Sequence, residues 1–249
     1  SLYSKKVDDS RNLLLGVLGH DLRTPLGVVH LSASYLLRTD TLDAPQSKAA
    51  ARILTSSERM AEMVKDLLDF TQAAFGVTLP ISPGPVEMGD LARTIVAEVM
   101  TVFPECRIDL AVEGALGGRW DRVRIGQMMS NLLTNAVQHG DRTEPVTVRV
   151  IGKGGEVLIE IRNKGAPLTP QTRKTLFLPL RQAPAAEGER RPGSSGLGLG
   201  LYITREIAVA HGGSIAVTSD GTATAFTVTL PRTPPVSKDR RVNQQHTAE

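Results

Sequence analysis

Residues 121–139, Asp121-Arg122-Val123-Arg124-Ile125-Gly126-Gln127-Met128-Met129-Ser130-Asn131-Leu132-Leu133-Thr134-Asn135-Ala136-Val137-Gln138-His139, decide how this chain folds. Asp121 stands before a run with helical apolar spacing, which predicts an N-capped helix that ends near His139. Along it Gln127, Asn131 and Asn135 repeat every four residues, so three carboxamides share one face. Their carbonyl oxygens suit a hard cation such as Mg²⁺, which takes oxygen ligands, keeps several waters and shares substrate phosphates. A solvated outer face would carry the same stripe, so the helix alone leaves both readings open.

The flanking sequence places this helix in a mixed layer structure. Met88–Val102 has helical spacing with Asp90 near its start, and Arg107–Val112 reads as a strand. Val146–Val150 and Val157–Ile161 are β-branched runs around a glycine turn at Gly152–Gly155. Leu199–His211 is helical and stops at Gly212 and Gly213, and Ser214–Thr218 and Thr224–Leu230 supply two closing strands. Helices and strands in this alternation predict an α/β sandwich. The tail beyond Pro231 combines Pro, charge and Gln without periodicity, the composition of a disordered end.

Upstream the pattern is purely helical. Leu15, Leu18, Leu22, Pro25, Val29, Ser32 and Leu36 alternate in steps of three and four, and Ile53, Ser56, Met60, Met63, Leu67, Phe70 and Ala74 repeat the alternation. A turn-like stretch at Asp40–Pro45 joins them, so the two helices should form an antiparallel hairpin. A lone hairpin has no further layer to cover its apolar faces, and pairing of two copies into a four-helix bundle solves that. The Gly and Pro cluster of Gly76–Pro85 breaks the period and predicts a linker. The expected organisation is therefore a hairpin at 1–76, a linker at 77–86, a sandwich at 87–232 and a tail at 233–249.

Four segments carry candidate chemistry. In Gly19-His20-Asp21-Leu22-Arg23-Thr24-Pro25-Leu26 a histidine adjoins a carboxylate, and the proline should interrupt the helix a little over one turn later. A neutral imidazole is a nucleophile near neutral pH, and His20 falls off the apolar seam, where a phosphate could reach it or where it is only a solvated surface residue. Gly193-Ser194-Ser195-Gly196-Leu197-Gly198-Leu199-Gly200 runs straight into a helix, a form in which backbone N–H groups approach an anion, though a flexible linker looks similar. It lacks the lysine and hydroxyl that end a Walker loop. In Asn163-Lys164-Gly165 the side-chain amide offers an acceptor and a donor that match the edge of adenine, and Gly165 lets a base come close, although alone the triplet marks only a turn. The segment 181–195 reads as a lid that brings Arg190 and Arg191 near phosphates, or as a passive loop.

Composition excludes several classes. With 249 residues, 41% hydrophobic and 4% aromatic content, the chain can bury cores built mainly from aliphatic side chains. Cys106 is the single cysteine, so no internal disulfide forms. A net charge of +3 with scattered Lys and Arg does not make a nucleic-acid face. No apolar run is long enough to span a bilayer, and no signal peptide is evident, so no direct membrane contact is expected. The start at Ser1 suggests a piece cut from a longer protein with an upstream region, unless an initiator methionine was removed.

Taken in order, these segments resemble the sensor histidine kinases of two-component signalling over nearly all of Arg11–Pro231. His20–Leu26 is similar to the family's H box, Asp121–His139 to its N box, Asn163–Gly165 to its G1 box, Phe177–Leu180 to its F box and Gly196–Gly200 to its G2 box. The resemblance implies a dimeric helical hairpin followed by a Bergerat-type ATP-binding α/β sandwich. It makes His20 the phosphoacceptor, Asp21 its activator, Asn135 a ligand of the Mg²⁺ that bridges ATP phosphates, and Asn131 its assistant, with Gln127 in second rank. By the same resemblance Asn163 and Gly165 meet adenine. Gly196, Gly198 and Gly200 meet phosphates, and Thr24 positions the water that dephosphorylates a partner regulator. A homodimer, a response-regulator receiver domain, an upstream sensor region and a cytoplasmic location complete what it implies.

The chain departs from the family pattern at several of these positions. Asn163 replaces the usual aspartate and Ala166-Pro167 the next glycine, while Gln138, Leu180 and Gln182 replace a basic residue, an aromatic and an arginine. An Asn-x-Gly G1 box is similar to kinases of the bacterial phytochrome kind. Two other readings compete: a catalytically quiet dimerisation and docking module, and an ATPase clamp of the gyrase kind, which would have no reason to place His20 on a preceding hairpin.

Overall fold

The computed structural model describes residues 21–39, 42–74, 78–180 and 197–234. Two compact units divide them. The residues up to Leu79 group with Phe177–Ile203, and Pro80–Leu176 group with those from Thr204 onward.

The first unit is built on two helices, α1 at residues 21–38 and α2 at Ala44–Ala74. Pro25 does not interrupt α1 as its sequence suggested; the helix continues through it. Proline removes one N–H, and the turns on either side keep their own bonds. Asp43 and Gln46 form a reciprocal box at the start of α2: Gln46 N–H donates to Asp43 Oδ1 at 2.7 Å, and Asp43 N–H donates to Gln46 Oε1 at 3.0 Å. His30 Nδ1 on α1 lies 3.9 Å from Glu58 on α2, and Ala33 and Ala50 are buried, so the helices lie side by side with small residues at the contact.

The second unit holds a five-stranded sheet in the order β2-β4-β5-β7-β6, where β2 is Ile108–Glu113, β4 Val146–Lys153, β5 Glu156–Lys164, β6 Ser214–Ser219 and β7 Ala223–Pro231. β2 and β4 run parallel and the other pairs antiparallel. Alternation sends Val148, Val150, Val157, Ile159, Ile161, Phe226, Val228 and Leu230 to one buried face. Register aligns them in rows, Val148 opposite Ile161 and Ile161 opposite Phe226. Arg149 on the other face lies 3.7 Å from Glu113 and 3.9 Å from Glu160. Helices α3 (Met88–Val102) and α4 (Arg122–His139) cover the apolar face with Leu91, Ile95, Val99, Met128, Met129, Leu132 and Leu133. At about 1.5–3 kcal/mol for each fully buried aliphatic side chain, this layer is the main stabilising term of the unit.

Two strands were not evident in the sequence. β1 (Gly84–Glu87) pairs antiparallel with β3 (Gly117–Trp120), so Gly84–Val86 belong to a ribbon rather than to the linker expected there. Trp120 is fully buried, and its Nε1–H donates to the Pro231 carbonyl at 2.8 Å. Its ring explains the glycine two positions before it, because a Cβ on Gly118 would lie 2.2 Å from the indole. The Arg232 guanidinium donates to the carbonyls of Ala115, Gly117 (2.9 Å) and Gly154 (3.0 Å), tying the ribbon to the β4–β5 turn.

Helix α5 is Pro170–Thr175, capped by Thr169, and α6 is Gly200–Ala210. α6 ends on the fully buried His211, whose Nδ1–H donates to the Ile207 carbonyl at 2.8 Å. Its Nε2 accepts the Asp121 N–H at 3.1 Å, which fixes the neutral tautomer. Burial holds the His211 pKa below the usual histidine value, against opposing contributions from the Ile207 bond and Asp121, while Arg124 lowers it further. The unfolded chain therefore takes up a proton near pH 6.5 that the folded chain refuses. Stability should be flat above that pH and fall as pH drops toward the lowered folded pKa, by at most about 1.4 kcal/mol per pH unit. Urea melts between pH 7.5 and 5.5 check this. The acid slope should shrink in His211→Gln, and an identical slope would assign it to other groups.

Candidate functional site

The start of α4 is fixed by its cap, where Asp121 Oδ1 accepts N–H bonds from Val123 (3.0 Å) and Arg124 (3.1 Å). The buried pairs Ile125/Gly126, Met128/Met129, Leu132/Leu133 and Ala136/Val137 turn one side of the helix into the core. Gln127, Asn131 and Asn135 are all half-buried on the border between core and solvent, in one stripe as their spacing predicts. The Gln127 Oε1 accepts from Arg124 Nη1 at 3.1 Å. A guanidinium beside that oxygen repels a cation, which argues against Gln127 as a metal ligand.

α4 ends where β5 ends. Gly140 caps the helix through its N–H to the Ala136 carbonyl at 2.9 Å, and the next amide, Asp141, donates to the Lys164 carbonyl at 2.8 Å. This brings Asn163 and Gly165 against the last turn of the carboxamide helix. The packing needs both glycines: a Cβ on Gly140 would lie 2.5 Å from the Ala136 oxygen and 3.2 Å from Asn163 Cβ, and one on Gly165 would lie 3.1 Å from the His139 oxygen. Gly140 was missed by sequence reasoning, and the His-Gly-Asp stop after the helix was its signal.

Asn163 is 6% exposed and sits opposite Thr224 in the β5–β7 register. Its Nδ2 donates to the Lys164 carbonyl at 3.2 Å, which orients the amide and leaves Oδ1 as its acceptor end. Gly165 N–H is bound to the Thr222 carbonyl at 3.1 Å. The Asp220 carboxylate organises that turn, accepting from Thr222 N–H, Thr222 Oγ1 and Ala223 N–H, and these bonds hold its pKa low. Asp141 is held low in the same manner by the Thr143 amide and hydroxyl.

Of the remaining candidates, Asp21 and Thr24 lie exposed on α1. Gly198 has φ +69°, a left-handed conformation that favours glycine, just before α6 begins at Gly200. The half-buried Phe177 follows α5 in a turn that ends at Leu180, whose φ is +59°. His20, Arg190, Arg191 and Gly196 lie outside the described residues.

Comparison with known families fits this arrangement in chain order. Residues 10–76 match the His Kinase A (phospho-acceptor) domain, and residues 120–234 match the histidine kinase-, DNA gyrase B- and HSP90-like ATPase. The chain belongs to the sensor histidine kinases. The phosphoacceptor match excludes an ATPase clamp of the gyrase kind standing alone. A bacteriophytochrome of Pseudomonas aeruginosa is 33% identical over 229 residues, covering 92% of this chain and 31% of that protein. The sensor histidine kinase CusS of Escherichia coli is 29% identical over 219 residues, covering 86% and 44%. This sensor kinase chain thus spans less than half the length of either relative. Among solved structures, full-length ShkA in complex with AMPPNP has a TM-score of 0.69 at 26% identity, over 90% of this chain and 46% of that one. Acinetobacter baumannii AdeS shares the fold at TM-score 0.58 and 17% identity.

Proposed function

We propose that this chain is the kinase core of a two-component sensor, which autophosphorylates His20 from Mg·ATP and passes the phosphoryl group to an aspartate of a response regulator. The observation that carries this reading is the pairing of a phosphoacceptor match containing His20 with an ATPase match whose carboxamide helix packs its end on Asn163–Gly165. In the proposed step an imidazole lone pair of His20 attacks the γ-phosphorus in line, the bond to the β–γ bridging oxygen breaks, and ADP leaves. Asp21 accepts from the other ring nitrogen and holds the reactive tautomer.

The amide edge of Asn163 takes adenine, with Gly165 leaving room for the base. The backbone of Gly196, Gly198 and Gly200, together with Arg190 and Arg191, takes the phosphates. Among the described residues no cluster of three His, Cys, Asp or Glu could hold a cation. The donors on offer are carboxamide oxygens, which fit Mg²⁺ that draws its other ligands from phosphates and water. Asn135 would hold it, with Asn131 assisting, and the bound ion would neutralise charge on the phosphates.

Two faces of the hairpin support proposed partners. Leu22, Val29 and Leu36 on α1, and Ile53, Met60 and Leu67 on α2, recur every seven residues and remain 39–47% exposed, as expected of a seam completed by a second copy. Off that seam Val28, Leu31 and Tyr35 are 60–70% exposed at steps of three and four, and this stripe favours docking of a receiver domain beside His20. No described helix is long and apolar enough to cross a membrane. We place the core in the cytoplasm, where ATP is found, downstream of a sensor region.

Incubation with ATP labelled at the γ-phosphate tests the reaction. Base-stable, acid-labile label is expected in the parent and absent from His20→Ala. A folded dimer that takes no label, even with its upstream region restored, would favour the quiet docking module. Thr24→Ala should still autophosphorylate but lose regulator dephosphorylation, and unchanged decay of the phosphorylated regulator would deny Thr24 that role.

A further inference from the structure

Asp121 does more than cap α4. Its Oδ1 takes the Val123 and Arg124 amides, while its Oδ2 accepts the Ser82 N–H at 2.8 Å across 39 positions of sequence. Its own N–H is given to His211 Nε2. Ser82 lies in the stretch that leads from α2 to β1, and the next carbonyl, Pro83, accepts from Arg119 Nη2 at 3.2 Å. One carboxylate therefore holds both the first turn of the carboxamide helix and the exit of the connector to the phosphoacceptor hairpin.

We propose that Asp121 is a positioning residue for phosphoryl transfer, with Oδ1 serving the helix and Oδ2 shortening the connector. The inference rests on the kinase reading above. The γ-phosphate and the acceptor histidine lie on separate segments joined by this connector, so their encounter frequency depends on its free length. Each residue released from its anchor adds up to about 3.5 Å of reach and enlarges the volume the nucleotide explores. Release also removes orientation, to which a transfer step is more sensitive than to distance alone.

Asp121→Asn separates the two jobs. Asparagine caps helices as well as aspartate does, and its single oxygen remains on the two α4 amides. Its Nδ2 then faces the Ser82 N–H, donor against donor. The autophosphorylation kcat should fall at least threefold, with KM for ATP and calorimetric Mg·ATP affinity within twofold of the parent. Asp121→Ser, another good cap whose one oxygen cannot serve both segments, should behave alike. Amide hydrogen exchange reads the clamp without catalysis: Ser82 should exchange at least tenfold faster in Asp121→Asn, while Val123 and Arg124 keep their protection. Unchanged Ser82 exchange, an unchanged or raised kcat in both variants, or a kcat loss matched by equal loss of ATP affinity would overturn the proposal. A parent that takes no label would instead be the failure of the kinase reading, with the exchange experiment still deciding whether the clamp exists.

Discussion

Asn135→Ala is expected to weaken Mg·ATP binding at least 30-fold, about 2 kcal/mol at 1.4 kcal/mol per tenfold, and to abolish autophosphorylation. The Arg124 guanidinium beside the Gln127 oxygen opposes a cation there, and Gln127→Ala should leave affinity within about twofold. Asn135 lies two turns further along, five residues before Gly140, where the helix end meets Asn163 and Gly165. A metal there would be bound mainly by phosphates and water, so the loss of one neutral protein oxygen would remove both a ligand and the group that sets the ion's position. Folding should be little affected, because the residue sits on the polar border of the helix and its neighbours Leu132, Leu133 and Ala136 carry the core contact. Calorimetry of Mg·ATP binding, with a thermal melt as control, makes the measurement. Equal affinity in parent and Asn135→Ala would remove Asn135 from the metal's ligands, and equal weakening in Gln127→Ala would overturn the distinction between them.

The same helix explains which features could be seen in the sequence. Asp121 and the four-residue repeat are local signals, so both the cap and the stripe were legible, and Met88–Val102 was predicted to the residue. The contact from Arg124 to Gln127 was not, because spacing does not reveal it. β1 and β3 were hidden for a different reason. Gly84-Pro85 and Gly117-Gly118 have the composition of loops, and their pairing is imposed by the Trp120 indole and by Arg232, more than a hundred positions from Gly117. His211 looked like a helix end beside two glycines, yet it bonds Asp121 at the far end of α4's sequence. Pro25 erred in the opposite direction, since a strong local signal for interruption was overridden by a helix that continues on both sides. Local chemistry thus gave the elements, and the joints between them came from pairs distant in sequence.

A double substitution at the turn end of the hairpin, Leu36→Glu with Ile53→Glu, is expected to convert the proposed dimer to a monomer. Both residues belong to the seven-residue seams and remain about half exposed in the single chain. Completing their burial against a second copy contributes about 1 kcal/mol for each side chain, the unburied half of the usual aliphatic value. Glutamate removes that gain and adds the cost of desolvating a carboxylate, several kcal/mol when no partner is supplied. Two-fold pairing brings four such charges into one bundle, so the dimer dissociation constant should rise at least a hundredfold. Val28, Leu31 and Tyr35 provide the control: they are more exposed than the seam residues but off its register, and Leu31→Glu should leave the dimer intact. Sedimentation equilibrium of the three proteins distinguishes the faces. An unshifted constant in the double variant, or dissociation by Leu31→Glu, would move the interface from the heptad seam to the other side of α1. Leu36 and Ile53 lie on the hairpin and outside the sandwich, so nucleotide binding by the sandwich should survive in the monomer. Phosphorylation of His20 in that monomer would then identify a reaction within one chain. Its loss, with ATP still bound, would show that the reaction needs the paired chains.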